Sequence, residues 1–233
     1  MNDAPHMRCG FVAVLGAPSA GKSTLINELV GAKVSIVTHK VQTTRIRIMG
    51  IATKDDSQIV FIDTPGIFEP RRRLERAMVD AAWRGASDAD RIMLVVDAKR
   101  GMDRDTARIV DGLEESKRTA ALVLNKIDLV KREDLLALAA EFNAAEIFDE
   151  TFMISALKGD GVADILSQLA GLLPGEPWMF PEDQLSDLPQ RLMAAEVTRE
   201  YLFLQTHQEV PYSTTVETES WEEFKDGSVK IEQ

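Results

Sequence analysis

Short apolar runs alternate with amphipathic stretches along most of the chain. Phe11–Gly16, Arg91–Asp97, Ala120–Asn125 and Thr151–Ser155 are mainly apolar and of strand length, as expected of strands covered on both faces. Lys22–Val30, Arg73–Trp83, Arg104–Glu115, Arg132–Phe142 and Val162–Leu172 read as helices. Arg45–Ala52 and Gln58–Asp63 alternate polar and apolar residues around the turn formers Lys54-Asp-Asp-Ser57, which predicts a hairpin. Strand–helix alternation of this kind predicts an α/β fold. Its sheet is mostly parallel and six-stranded, with helices on both faces and the hairpin supplying one antiparallel edge.

The pattern breaks at Pro174-Gly-Glu-Pro177 and Pro181. The expected organisation is a domain over 1–173, a linker over 174–187 and a second unit over 188–233. In that unit Leu188–Gln205 reads as an amphipathic helix, and Ser213–Phe224 with Ser228–Gln233 as paired strands about Asp226-Gly227. One helix and two strands make a poor independent core. The unit is therefore expected either to dock on the first domain or to lack a third element, which should begin where the sequence stops at Gln233.

Composition is that of an ordinary globular protein, 45% hydrophobic and 28% charged over 233 residues. The net charge of −11 is unevenly placed. From Pro174 onward four Lys/Arg stand against thirteen Asp/Glu, a net −9, which leaves −2 for the rest. So acidic a piece repels phosphate backbones and counts against nucleic-acid binding by that unit alone. Cys9 is the only cysteine; it allows no intrachain disulfide and reads as a small buried side chain. His6, His39 and His207 have no metal-ligand spacing. The apolar runs are far short of a membrane span, and Met1-Asn-Asp-Ala-Pro-His6 lacks the layout of a secretory signal, so a cytoplasmic location is expected.

Four short blocks carry the chemistry, and their order matters more than any one of them. Gly16-Ala17-Pro18-Ser19-Ala20-Gly21-Lys22-Ser23, ahead of Thr24, joins an apolar strand to a helix. Its glycines let backbone N–H groups turn inward around a phosphate, and the helix N-terminus adds its positive end. Lys22 is expected to reach the β- and γ-phosphates, and the Ser23 hydroxyl to ligate Mg²⁺. Asp63, closing a strand before Thr64-Pro65-Gly66, aims a carboxylate at that metal, while Gly66 offers a bare N–H to the γ-phosphate. Asn125-Lys126-Ile-Asp128 selects the base. The Asp128 carboxylate accepts from N1–H and the 2-amino group of guanine, a pair adenine does not offer. The Lys126 stem covers the base, and Asn125 ties this loop to the phosphate loop. Ser155-Ala156-Leu157 follows the last strand, with the Ala156 N–H placed to meet guanine O6. The ordered set predicts a GTP/GDP site. Lys22, Thr44 and Gly66 are the catalytic candidates, and Thr43 and Thr44 are alternative further ligands of Mg²⁺ beside Ser23 and Asp63.

Where small GTPases keep a water-orienting Gln, this chain has Ile67 and Phe68. No side-chain base replaces it, so slow intrinsic turnover is expected. Arg71-Arg72-Arg73 reads as a solvated helix start or a partner contact, and Trp178 and Phe180 as pins holding the linker to a domain surface.

With the blocks placed, nearly the whole chain resembles the bacterial Era-type GTPases. The resemblance rests on Gln42-Thr-Thr-Arg45, Asp63-Thr-Pro-Gly-Ile-Phe68 and Arg72-Arg-Leu-Glu-Arg-Ala-Met78. In the second unit, Leu192-Met-Ala-Ala-Glu-Val-Thr-Arg-Glu200, Glu209-Val-Pro-Tyr212 and Val216-Glu-Thr-Glu219 are similar to the opening of that family's KH domain. The resemblance implies a Ras-like P-loop GTPase fold followed by a partial α+β KH-like unit. It implies Mg²⁺ as cofactor, small-subunit rRNA and a 30S precursor as partners, and peripheral association with the inner face of the cell membrane. Two departures stand out. No Gly-x-x-Gly occurs after Pro174, and that loop clamps RNA in a KH domain. Ser19 occupies a position where many relatives carry Asn, which weakens the case for a catalytic K⁺.

Three function classes follow. The first is a GTP-hydrolysing switch acting in small-subunit assembly. The second is a GTP-gated binding module, at a membrane or on another RNA partner, in which hydrolysis is incidental. The third, a P-loop kinase, is opposed by Asn125-Lys-x-Asp128 and by the lack of a lid-like insertion.

Overall fold

The computed structural model describes residues 7–38, 43–44, 47–206 and 214–233. Six strands, Arg8–Leu15 (β1), Ile48–Lys54 (β2), Ser57–Asp63 (β3), Arg91–Asp97 (β4), Ala120–Asn125 (β5) and Phe148–Met153 (β6), form one sheet in the order β2-β3-β1-β4-β5-β6. Only the β2–β3 pair is antiparallel, closing through Asp55 in the left-handed region at φ 51. Helices Lys22–Val30 (α1), Arg73–Asp88 (α2), Arg104–Glu115 (α3), Arg132–Asn143 (α4) and Val162–Leu172 (α5) cover the two faces. Alternate residues of one strand serve opposite cores. Ala13 and Leu15 pack with α2 to α4 residues such as Ala82, Ile109 and Phe142, while Val12 and Val14 pack with Leu25, Ile26 and Ile165. This two-sided burial explains why the central strands read as unbroken apolar runs.

Most elements lie where the periodicity puts them, and the exceptions have local causes. β1 starts three residues earlier than expected, because Arg8 and Cys9 pair with Ser57 and Gln58. α2 runs past Trp83 to Asp88, with Ala82, Gly85 and Ala86 buried against the sheet. β6 starts at Phe148, whose ring meets Phe142 edge-on at 6.0 Å, and it ends before Ser155, which bridges to Asp160 instead. The hairpin strand expected from Arg45 begins at Ile48; Arg45 itself lies outside the described residues.

The 174–187 stretch is strapped to the sheet edge. Trp178 and Phe180 pack on Cys9, Ile51 and Val60. Buried Gln58 holds the strap from below, donating to Phe180 O (2.8 Å) and accepting from the N–H groups of Met179 and Phe180. Further on, Ile51 N–H donates to Leu185 O (2.9 Å) and Ser186 bridges to Gly50, covering an edge that would otherwise offer bare backbone groups.

The second unit consists of Gln190–Gln205 (α6) and an antiparallel pair, Ser220–Glu223 (β7) and Val229–Glu232 (β8), turning at Gly227 (φ 83). The longer strand expected from Ser213 is not formed over 214–219, and Ser213 lies outside the described residues. Among the described residues no helix is long and apolar enough to cross a membrane.

Candidate nucleotide-binding site

The C-terminal ends of β1, β3, β5 and β6 converge on one cleft of about 300 Å³. This is where an open α/β sheet leaves room for a ligand. Its walls include Pro18, Ser19, Gly21, Lys22, Ser23, Thr24, Thr43, Thr44, Gly66, Asn125, Lys126, Asp128, Ser155, Ala156 and Leu157, so most of the expected residues are brought together. Gly16, Ala17 and Ala20 shape the loop from behind through their carbonyls. Those of Gly16 and Ala17 accept from Lys22 Nζ (3.1 and 3.2 Å), and that of Ala20 accepts from Asn125 Nδ2 (2.9 Å).

Two glycines are required by close approach. A Cβ on Gly21, at φ 100, would fall 2.3 Å from Asn125 Nδ2, destroying the tie between the phosphate loop and the base loop. A Cβ on Gly66 would stand 3.0 Å from the backbone of Pro18.

At the phosphate end, Lys22 is buried, and burial lowers its pKa to about 8 against the opposing pull of Asp63. Asp63 is fully buried. Its Oδ2 accepts from Ser23 Oγ (2.8 Å), Ser35 Oγ (2.6 Å) and Thr44 Oγ1 (3.3 Å), while its Oδ1 is buried with no hydrogen-bond partner among the described residues. Burial pushes this carboxylate upward, and the Ser35 hydroxyl and Lys22 hold it back. The hydroxyls of Ser23 and Thr44 lie 3.2 Å apart. One carboxylate and a few neutral oxygens form the hard, incomplete donor set that suits Mg²⁺, which keeps waters and takes substrate phosphate oxygens. An unpartnered buried Oδ1 fits the same assignment. Of the two threonines, Thr44 faces Asp63, whereas the hydroxyl of Thr43 lies 2.6 Å from that of Thr38.

At the base end, buried Asn125 is the hub, its Oδ1 accepting from Lys126 N (2.8 Å) and Ala156 N (3.0 Å). The Ala156 N–H, expected to stand ready for guanine O6, is thus already donated to Asn125. Lys126 adopts a left-handed backbone (φ 65) and donates from Nζ to Ser19 O (2.8 Å) and Asp97 Oδ2 (2.6 Å). Asp128 accepts from Ser155 Oγ (2.8 Å), and that bond, with Lys158 nearby, holds its carboxyl below the usual range.

Sequence reasoning missed several contributors. Ile36, Val37, Thr38 and Leu129 also line the cleft, and Ser35 bonds the key carboxylate. Asp97, at the end of β4, anchors Lys126, and Arg100 donates to Pro18 O (3.1 Å). Ile67, read as the replacement for a catalytic Gln, is a core residue with its N–H donated to Gly16 O (3.2 Å). Two neighbours on α6 reach the site's outer wall. Glu200 accepts from Val37 N (2.9 Å) and pairs with Lys33, and Arg199 donates to Thr43 O (2.8 Å).

Comparison with known proteins agrees with this geometry. GTPase Era of Sinorhizobium medicae is 63% identical over 226 residues, covering 97% of this chain and 73% of that protein. That of Agrobacterium fabrum is 61% identical over 232 residues, covering 100% and 73%. The chain belongs to the Era family of GTPases. A family model described as 50S ribosome-binding GTPase matches residues 11–126, within the nucleotide-binding domain. Two Era crystal structures superpose with a TM-score of 0.89. One, in complex with MgGDPNP and nucleotides 1506–1542 of 16S ribosomal RNA, is 36% identical and covers 95% of this chain and 76% of its own. The other, an Aquifex aeolicus Era variant bound to GDP·AlF4⁻, is 37% identical and covers 97% and 77%. The Era likeness extends through the linker and second unit, which the shorter family model does not reach.

Proposed function

We propose that the chain is a GTP-hydrolysing switch that acts in assembly of the small ribosomal subunit through its RNA. The observation that carries this reading is one cleft with Lys22, Ser23 and Asp63 at its phosphate end and Asn125 and Asp128 at its base end. Membership of the Era family supports it. So do the ligands of the related crystal structure, a Mg²⁺-bound GTP analogue and a 16S RNA segment. The description naming the large subunit belongs to a match that ends at Lys126, before the second unit begins.

In this reading Ser23 and Thr44 would hold Mg²⁺, with Asp63 behind them, and its chemistry there would be neutralisation of phosphate charge. Thr44 is preferred to Thr43 because its hydroxyl faces Asp63. Lys22 and the N–H of Gly66 stabilise charge on the transferred phosphoryl group. Ile67 is buried, so no side chain there orients the attacking water. Intrinsic turnover is slow, and an added cation or partner accelerates it. Ser19 in place of Asn makes K⁺ the weaker choice for that cation. The domains are assigned as 1–173 for the GTPase, 174–187 for the linker and 188–233 for a KH-like unit. A ribosomal partner goes with a cytoplasmic location, and any membrane contact is peripheral.

The test is phosphate release from GTP and ATP, with and without Mg²⁺. Slow, Mg²⁺-dependent release from GTP alone is expected. Equal turnover of ATP, or phosphate passed to a metabolite acceptor, would overturn the reading.

A further inference from the structure

The start of α2 breaks an electrostatic rule. A helix N-terminus carries the positive end of the backbone dipole, so anions are favoured there and cations disfavoured. Here Arg71, Arg72, Arg73 and Arg76 crowd that end, all exposed. Among the described residues none of these guanidinium groups lies within 4 Å of a carboxylate. The two nearest acids in sequence are engaged elsewhere. Glu75 Oε2 accepts from the backbone N–H groups of Arg71 and Arg72 (2.7 and 3.0 Å), and Glu69 pairs with Arg108 of α3 (3.5 Å). The capping carboxylate thus holds the turn together while the arginine side chains face solvent. Local physics alone would not select this arrangement, and such conflicts mark functional sites.

The cluster's position says what it serves. Its segment is rooted on the phosphate loop, where Ile67 N–H donates to Gly16 O and Gly66 lies against Pro18. Five residues later it emerges as this cationic face. The guanidinium fork matches phosphate oxygens in pairs, and contacts of that kind position a nucleic acid without reading its bases. The stretch from Pro174 onward, at net −9, supplies no such field.

We propose that Arg71, Arg72, Arg73 and Arg76 form a contact surface for the phosphate backbone of small-subunit RNA, carried on the segment that senses the terminal phosphate of GTP. The proposal rests on the RNA-directed reading above.

The experiment is anisotropy of a labelled fragment from the 3′ end of small-subunit RNA, titrated with the chain bound to a non-hydrolysable GTP analogue across a KCl series. Replacing Arg71, Arg72 and Arg73 together with Ala should weaken binding at least tenfold at low salt. It should also reduce the slope of log affinity against log salt by about 2, since each phosphate contact contributes roughly 0.7 to 0.9. A triple Lys variant should keep the slope, and GDP affinity should be unchanged in both. Arg73→Glu separates a contact from a structural role. It should raise the thermal midpoint by about 1–3 °C, because it suits the dipole, while weakening RNA binding. Unchanged affinity and slope in the Ala variant would overturn the surface while leaving the RNA reading intact. Cluster-dependent binding that is equally tight for an unrelated RNA would support the surface and remove the small-subunit reading. No RNA binding by the unsubstituted chain would overturn the proposal, and cluster-dependent binding to phosphatidylglycerol vesicles in its place would assign the face to a membrane.

Discussion

Arg199 of α6 donates from Nη2 to the carbonyl oxygen of Thr43 at 2.8 Å. The next residue, Thr44, faces the buried carboxylate of Asp63. The second unit therefore grips the backbone beside the nucleotide site, and does so with a side chain that is itself buried, ion-paired to Glu196 and stacked over Phe203 at 5.3 Å. Glu200 adds a second grip on Val37 and Lys33. These contacts tie the backbone beside Thr44 to α6.

Arg199→Ala leaves the Thr43 carbonyl without this donor, a loss of about 1–2 kcal/mol for a charge-assisted bond. Amide exchange in the peptide spanning residues 33–44 should rise roughly tenfold, while peptides from β1 and β5 keep their protection. Unchanged exchange over 33–44 would mean the contact carries no load.

Lys22 is held near pH 8 by burial, below its ordinary value of 10.5. The unfolded chain therefore binds this proton more tightly. The cost to the nucleotide-free protein is present below pH 8 and relieved as pH rises toward 10.5, a gain on the order of 3 kcal/mol. Lys22→Met removes the buried ammonium. Thermal melts at neutral pH should show a midpoint higher by about 5 °C or more, and GDP titration a loss of at least about 100-fold in affinity. Bound phosphates restore the charge, so GDP affinity of the unsubstituted chain should fall as pH rises above 8.

Ser35 gives Asp63 its shortest hydrogen bond, 2.6 Å, and does most to hold that carboxyl down against burial. Ser35→Ala should cost about 1–2 kcal/mol in stability and raise the Mg²⁺ needed to retain nucleotide by roughly three- to tenfold. A Mg²⁺ titration of nucleotide release reads this directly; identical curves would remove Ser35 from the metal's surroundings.

Asp128 is the one acidic side chain among the expected base contacts, and Ser155 fixes its orientation. GDP should bind the unsubstituted chain about 10- to 100-fold more tightly than IDP, which lacks the 2-amino group. In Asp128→Ala that gap should close and GDP affinity fall at least about 100-fold. A persisting preference for GDP would place guanine recognition elsewhere.

The sheet and the two ends of the cleft were legible because their signals are local. Unbroken apolar runs mark two-sided strands, and Gly16–Ser23 and Asn125–Asp128 each act within one loop. What escaped depends on distant pairings. Ser35 is unremarkable until the fold sets it beside Asp63, and Asp97 until Lys126 reaches it. Gln58 reads as a strand residue, yet it anchors a strap more than a hundred residues away. The bond from the Ala156 N–H to Asn125 likewise joins the ends of two different strands. Ile67 was correctly seen not to be a catalytic Gln, but its burial in the core is visible only once the sheet is assembled.

The most direct test of the account is cosedimentation of the chain with small ribosomal subunits, compared between a non-hydrolysable GTP analogue and GDP. A switch acting through small-subunit RNA predicts retention with the analogue and release with GDP. Equal sedimentation in both states, or retention by large subunits instead, would contradict it.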